Sequence, residues 1–385
     1  MRRRVTRLAL ILAVALTSGA VWKREELTRL NAVTSLFSEQ RIVENFIGMD
    51  GLFLTRALSR GDGPVSPLPN GSPMALPDEA ADWIRARMVL GLVVMKDGAV
   101  RHESYHHGTD DQDLRISWSV AKSWLSALMG VVVAEGAIAS LDDPVTRYAP
   151  TLTDTAYDGA TIRNVLNMSS GVTFDEDYLD FWSDINRMGR VLALGRSMDR
   201  FAEGLDKTFV TPGAQWQYVS IDTHVIGMVI RGATGRDVPT LLEEKILRPM
   251  GLEAAPYYLT DGHGVAFVLG GLNMRTRDNA RFGQMFLQDG RWNGRQIVPA
   301  DWVRASTTPS APTTPGEVQY GYQWWMPADA GEGEYYGIGI YGQFVYVNRP
   351  LSVVIAMNSA DRHFKDPGVT AGNIAMFRKI AEAAQ

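Results

Sequence analysis

Ser119 and Lys122 stand three residues apart in the segment SWSVAKSW, and residue types at that spacing can carry out acyl transfer. A serine hydroxyl is a weak nucleophile until a neighbouring base takes its proton. Residues three apart at the start of a helix share a face, so the lysine amine can reach the hydroxyl. A lysine kept from water, or placed beside other cations, loses its proton near neutral pH and becomes that base. The helix start also offers free backbone N–H groups and the positive end of the dipole, and both favour developing negative charge. Taken alone the pattern is short, and a capping serine followed by a surface lysine would read the same. Here it is the only Ser-x-x-Lys in the chain, and it opens the most apolar helical stretch.

Other nucleophile systems find less support. The chain has no cysteine, which removes thiol catalysis, Cys-rich zinc sites and disulfides. There are six histidines, but no Gly-x-Ser-x-Gly elbow surrounds Ser119, and Ser169-Ser170-Gly171 lacks the elbow too. His106-His107 lies near Asp110-Asp111 without a helical His-x-x-x-His pair, so it reads as a solvated loop rather than a metal site. No metal or organic cofactor is expected.

The elements that must position Ser119 and Lys122 follow from the hydrophobic periods. Leu90 to Tyr105 (LGLVVMKDGAVRHESY) reads as a β-hairpin turning at Asp97-Gly98, whose backbone twist suits a two-residue turn. Residues 118–134 read as a buried helix, with Gly136 at its C-terminal cap. Residues 25–50 have a polar-rich helical pattern, and the Gly/Pro/Ser-rich stretch 61–77 reads as an extended surface segment. From about 141 to 265 the pattern predicts an inserted region of helices and loops. Strands are predicted at 344–347 and 352–357, joined at Asn348-Arg349-Pro350, with a closing amphipathic helix over 370–384. The expected fold class is α/β of the α+β kind: an antiparallel sheet built from both ends of the chain and flanked by helices.

Composition bounds the class. Apolar residues make up 45% of the 385 and charged residues 21%, ordinary for a globular protein and against disorder. The formal net charge of -5, without a basic stripe, excludes nucleic acid as a natural partner. At the amino terminus Arg2-Arg3-Arg4 precedes an uncharged run from Leu8 to Trp22. Residues 1–24 are therefore expected to be a signal peptide or an N-terminal membrane anchor. Residues 25–80 form a lead-in segment and 81–385 the catalytic domain. The expected location is exported: periplasmic, soluble or held at the inner membrane by that segment alone. Oligomeric state is not legible.

Several stretches, in order, resemble the class C β-lactamase and D,D-peptidase superfamily: SWSVAKSW, EGAIASLDDPVTRYAP, TIRNVLNMSSGV, PGAQWQYVSIDTHVIGMVIRGATG, ILRPMGL, GGLNMRTRDNARFGQMFLQDG and GIGIYGQFVYV. Within it the chain is most similar to family VIII esterases and 6-aminohexanoate-dimer (nylon-oligomer) hydrolases. The resemblance implies a β-lactamase/transpeptidase-like fold, Ser119 as nucleophile and Lys122 as base. It carries the family's Tyr-x-Asn onto Tyr218-Val219-Ser220, with Tyr218 shuttling a proton to the leaving group. Ser220 replaces the usual Asn, which weakens the amide contact used for β-lactams. The family's Lys-Thr-Gly falls on Gly337-Ile338-Gly339, with no lysine or hydroxyl to hold a substrate carboxylate. The resemblance also implies an oxyanion hole from the N–H groups of Ser119 and Ile340. The segment SGVTFDEDYLD resembles the one that places a tyrosine over the site in nylon-oligomer hydrolases; Tyr178 is the match, and there it would help hold an amide leaving group. Gly339, Tyr341 and Trp325 are further candidate pocket residues, a core tryptophan being the alternative for Trp325.

The reaction implied is hydrolysis of a small-molecule ester or small linear amide through a Ser119 acyl-enzyme. A β-lactamase or D,D-peptidase is the alternative. A non-catalytic penicillin-binding or cell-envelope sensor is the alternative of another class.

Overall fold

The structure is a computed structural model, and it describes residues 23–385. The segment expected to be a signal peptide or anchor lies, but for its last two residues, outside the described residues. Among the described residues no helix is long and apolar enough to cross a membrane.

A seven-stranded antiparallel sheet organises the fold. It contains β2 (Val89–Lys96), β3 (Ala99–Tyr105), β9 (Gln319–Tyr320), β10 (Trp325–Met326), β11 (Glu334–Gly339), β12 (Gln343–Asn348) and β13 (Val353–Ser359), in the order β3-β2-β13-β12-β11-β10-β9. The expected hairpin is β2–β3, turning at Asp97 (φ 50°) and Gly98 (φ 80°). Its partner β13 comes from the far end of the chain. Both faces are covered, so apolar side chains occupy consecutive strand positions, and alternate residues serve different cores. Phe344, Tyr346, Val353 and Ile355 meet the closing helix, while Val345, Val347, Val354 and Ala356 face the main core.

Seven helices matter to the site: α1 (Arg24–Ser35), α2 (Ile42–Ile47), α3 (Val120–Ala134), α4 (Asp184–Ala193), α5 (Ser220–Thr234), α6 (Thr276–Leu287) and the closing α7 (Val369–Ala383). Helix α3 runs through the interior and packs on α5 and on β11. Helix α6 lies close on the sheet: a Cβ on Gly283 would come within 2.6 Å of Val354 Cγ1, so only glycine allows the approach.

The pattern over 25–50 resolves into α1, α2 and a 3-10 turn, with residues 36–41 breaking the helix. The helical region expected to reach about 265 ends at Met250, because Gly251 (φ 63°) closes the turn in the left-handed region. The chain then enters a second sheet absent from the expectation. This sheet has the order β1-β5-β6-β4 and is built from β1 (Thr55–Ala57), β4 (Arg115–Ile116), β5 (Tyr257–Leu259) and β6 (Leu272–Met274). Its strands are two or three residues long and carry no detectable period. A small hairpin, β7 (Arg291–Trp292) with β8 (Arg295–Gln296), completes the strands.

Candidate active site

Ser119 occupies the N-cap position of α3, yet its hydroxyl makes no capping hydrogen bond. It accepts instead from Lys122 Nζ at 2.9 Å. The lysine is 2% exposed, and its amine also donates to the Leu269 carbonyl at 2.7 Å. Burial pushes the Lys122 ammonium down to about 7, and only the negative charge of Glu176 works the other way. The amine thus stays where a proton can be accepted at neutral pH.

Tyr218 closes the triangle from just before α5. Its ring centroid is 5.3 Å from Lys122 Nζ, and its phenol is near enough to the Ser119 side chain to interact with it electrostatically. Burial, reinforced by Glu176, pushes the phenol well above its ordinary value. The pair is therefore split: near neutrality the phenol keeps its proton and the amine can lose one.

Glu176 is the functional candidate that sequence reasoning missed. Its carboxylate accepts from the Tyr178 hydroxyl at 2.6 Å, from the Ser220 N–H at 3.0 Å and, in a short contact, from the Ser220 hydroxyl. The Ser220 side chain is thereby committed to protein. Four acidic residues crowd the stretch 175–180, and nothing local distinguishes the one that turns inward. The Leu269 carbonyl was missed as well, because a backbone acceptor leaves no mark on residue type.

Strand β11 ends against Ser119. A Cβ on Gly339 would lie 2.7 Å from the Ser117 carbonyl oxygen and 2.9 Å from Ser119 N, so glycine is what lets the strand approach. Among the described residues no backbone carbonyl takes the N–H of Ser119 or of Ile340. Two bulky residues flank these donors in the left-handed region, Trp118 (φ 43°) and Tyr341 (φ 60°). Such backbone is held only by firm packing. That packing comes from the lead-in segment. Phe37 stacks on Tyr341 with centroids 4.6 Å apart, and Phe46 meets Trp118 edge-on at 5.7 Å and Tyr341 at 5.5 Å.

Two cavities meet at Ser119. The first, about 240 Å³, is lined by Tyr218, Trp325, Ile338 and Gly339 together with residues of α7. Trp325 stands 5.1 Å from the Tyr218 ring. The second, about 100 Å³, runs beneath α1 and α4 and borders Ser220, Leu269 and Tyr341. Tyr178 and Ile340 border both. The structure thus brings every sequence-predicted site residue to one place. His224 pairs with Asp199 at 2.8 Å, but the cavity it borders includes neither Ser119 nor Lys122.

This fold, with a Ser-x-x-Lys at the start of a buried helix, is that of the serine β-lactamase-like superfamily. The chain belongs to the beta-lactamase family, whose model matches residues 80–375, and it is a serine hydrolase. A 6-aminohexanoate-dimer hydrolase of Paenarthrobacter ureafaciens is 28% identical over 335 residues, covering 82% of this chain and 84% of that one. The esterase EstB of Burkholderia gladioli is 29% identical over 151 residues, covering 35% of this chain and 36% of its own. Among solved structures, a Bacillus anthracis protein provisionally named a 6-aminohexanoate-dimer hydrolase has the same fold. Its TM-score is 0.76 at 21% identity, over 90% of this chain and 95% of that chain.

Proposed function

We propose that the protein hydrolyses an ester or a small linear amide in two acyl-transfer steps on Ser119. The observation that carries this reading is the buried Lys122 amine 2.9 Å from Ser119 Oγ, brought down to about 7. The neutral amine takes the serine proton as Oγ attacks the carbonyl. Negative charge on the former carbonyl oxygen is received by the N–H groups of Ser119 and Ile340, which no backbone carbonyl of the described residues occupies. Tyr218, still protonated, gives its proton to the departing oxygen or nitrogen and is recharged from Lys122. Water then enters in place of the leaving group and the same groups run in reverse.

The relatives' names, a 6-aminohexanoate-dimer hydrolase and an esterase, support this substrate range. Gly337-Ile338-Gly339 offers no cation or hydroxyl for a substrate carboxylate, which disfavours β-lactams and peptidoglycan ends. The basic, then apolar, start of the sequence supports an exported enzyme, tested by whether a fusion to residues 1–30 carries a reporter out of the cytoplasm.

The first test is release of p-nitrophenol from p-nitrophenyl butyrate by the purified protein and its Ser119→Ala variant. Turnover is expected in the former and background in the latter. Equal turnover in both would remove Ser119 as the nucleophile.

A further inference from the structure

We infer that the second cavity is the acyl pocket, that the lead-in segment sets its length, and that it selects an uncharged aliphatic acyl chain of about four to seven carbons. This rests on the acyl-transfer reading above.

The assignment follows from Tyr218. A leaving group must be within reach of the phenol that protonates it. Tyr218 lines the first cavity and is absent from the second. With the carbonyl at Ser119 and its oxygen toward the Ile340 N–H, the leaving group extends into the first cavity. The other substituent, the acyl chain, points into the second. At about 100 Å³ that chamber holds roughly three to four methylene-sized groups at about 30 Å³ each, enough for a short aliphatic tail beyond the carbon next to the carbonyl.

Its walls are apolar. Val33, Leu36 and Phe37 come from α1 and the turn after it, and Ile185, Met188 and Leu192 from the facing side of α4. Among the described residues no charged side chain borders it. Its one side-chain amide, Asn186, is occupied, donating to the carbonyls of Tyr178 and Asp180 at 3.0 and 2.7 Å. Each methylene placed there should raise kcat/KM by about fourfold until the wall is met. A terminal ammonium or carboxylate would be buried without a partner and rejected. A 6-aminohexanoyl chain is thus a poor acyl donor here, although a relative's name carries that unit.

Gly189 supplies the probe. It borders the chamber from α4, and a Cβ there would meet nothing within 4 Å, so a larger side chain grows into free space. The full-length protein and its Gly189→Leu and Leu36→Ala variants are compared on p-nitrophenyl esters from acetate to decanoate. The wild type should prefer hexanoate to acetate by at least thirtyfold in kcat/KM. Gly189→Leu should cut that ratio at least tenfold, and Leu36→Ala should move the optimum to longer chains. The p-nitrophenyl ester of 6-aminohexanoate should react at least a hundredfold more slowly than hexanoate. Acetate turnover with a chain-length ratio unmoved by Gly189→Leu would overturn the pocket assignment and leave the acyl-transfer reading standing. So would a Gly189→Leu effect confined to leaving-group length, read with ethyl against hexyl acetate. Equal rates for hexanoyl and 6-aminohexanoyl esters would overturn the charge selection. No turnover of any ester would overturn both readings together.

Discussion

Two proton affinities are pushed apart at the residue scale. Burial lowers the Lys122 ammonium to about 7 and raises the Tyr218 phenol, so one group is a base and the other an acid at the same pH. Replacing Lys122 by alanine should cost on the order of a thousandfold in kcat with the fold intact; near-normal turnover would rule it out as the base. With the neutral amine as the proposed base, kcat/KM should rise with pH through an inflection near 7. The Glu176 charge holds that value up, so Glu176→Gln should move the inflection to lower pH. A pH–rate profile of both proteins settles the sign: a shift to higher pH would contradict it. In Gly339→Ala the new methyl would press on Ser119 N and the Ser117 carbonyl, moving a strand that leads into the proposed oxyanion donor Ile340. A loss of roughly a hundredfold in kcat is expected, with little change in melting temperature.

At the scale of elements, the site depends on packing from outside the stretch that resembles the family. Trp118 and Tyr341 hold backbone angles that bulky side chains rarely adopt, next to the nucleophile and next to Ile340. Phe46 is 1% exposed and touches both rings from α2. Phe46→Ala should destabilise the protein by about 3–5 kcal/mol, as expected for a large core deletion. It should also lower kcat in the surviving folded fraction, since the proposed oxyanion donors lose their brace. Chemical denaturation beside single-turnover acylation separates these effects. Unchanged acylation in the folded protein would mean that Trp118 and Tyr341 keep their backbone without the lead-in helices.

The whole molecule bears the cost of keeping a lysine in its interior. Lys122 titrates at about 7 folded and near its ordinary value when unfolded. Between those values the unfolded chain binds the extra proton, so this lysine's penalty is fully present below pH 7 and disappears as pH rises toward 10.5. The depressed value corresponds to a penalty on the order of 5 kcal/mol. Lys122→Met, similar in shape and without charge, should raise stability at pH 7 while abolishing turnover. The gain over wild type should shrink by pH 10, and a gain independent of pH would show that packing, not charge burial, was responsible. The interior that tolerates this lysine is large because β13, from the end of the chain, pairs with β2 near its start. Helices α3 and α5 are buried over most of their length.

The sequence by itself determined what local rules encode. Ser119 and Lys122 are three apart on a helix, so their meeting needed only helical geometry. The β2–β3 hairpin was legible from its period and its Asp97-Gly98 turn, and the buried helix from its apolar spacing. Tyr218, Ile340 and Tyr178 could be placed only through the ordered resemblance, because they are far from Ser119 in sequence. Tertiary structure alone decided which acidic side chain of 175–180 turns inward, and that Glu176 takes up the Ser220 hydroxyl. It alone decided that the Leu269 carbonyl holds the amine, and that Phe37 and Phe46 reach the site from a segment read as a lead-in. The physical reason is common to all four. A contact between distant parts of the chain is selected by the shape and polarity of the completed interior, and neither residue type nor spacing records it.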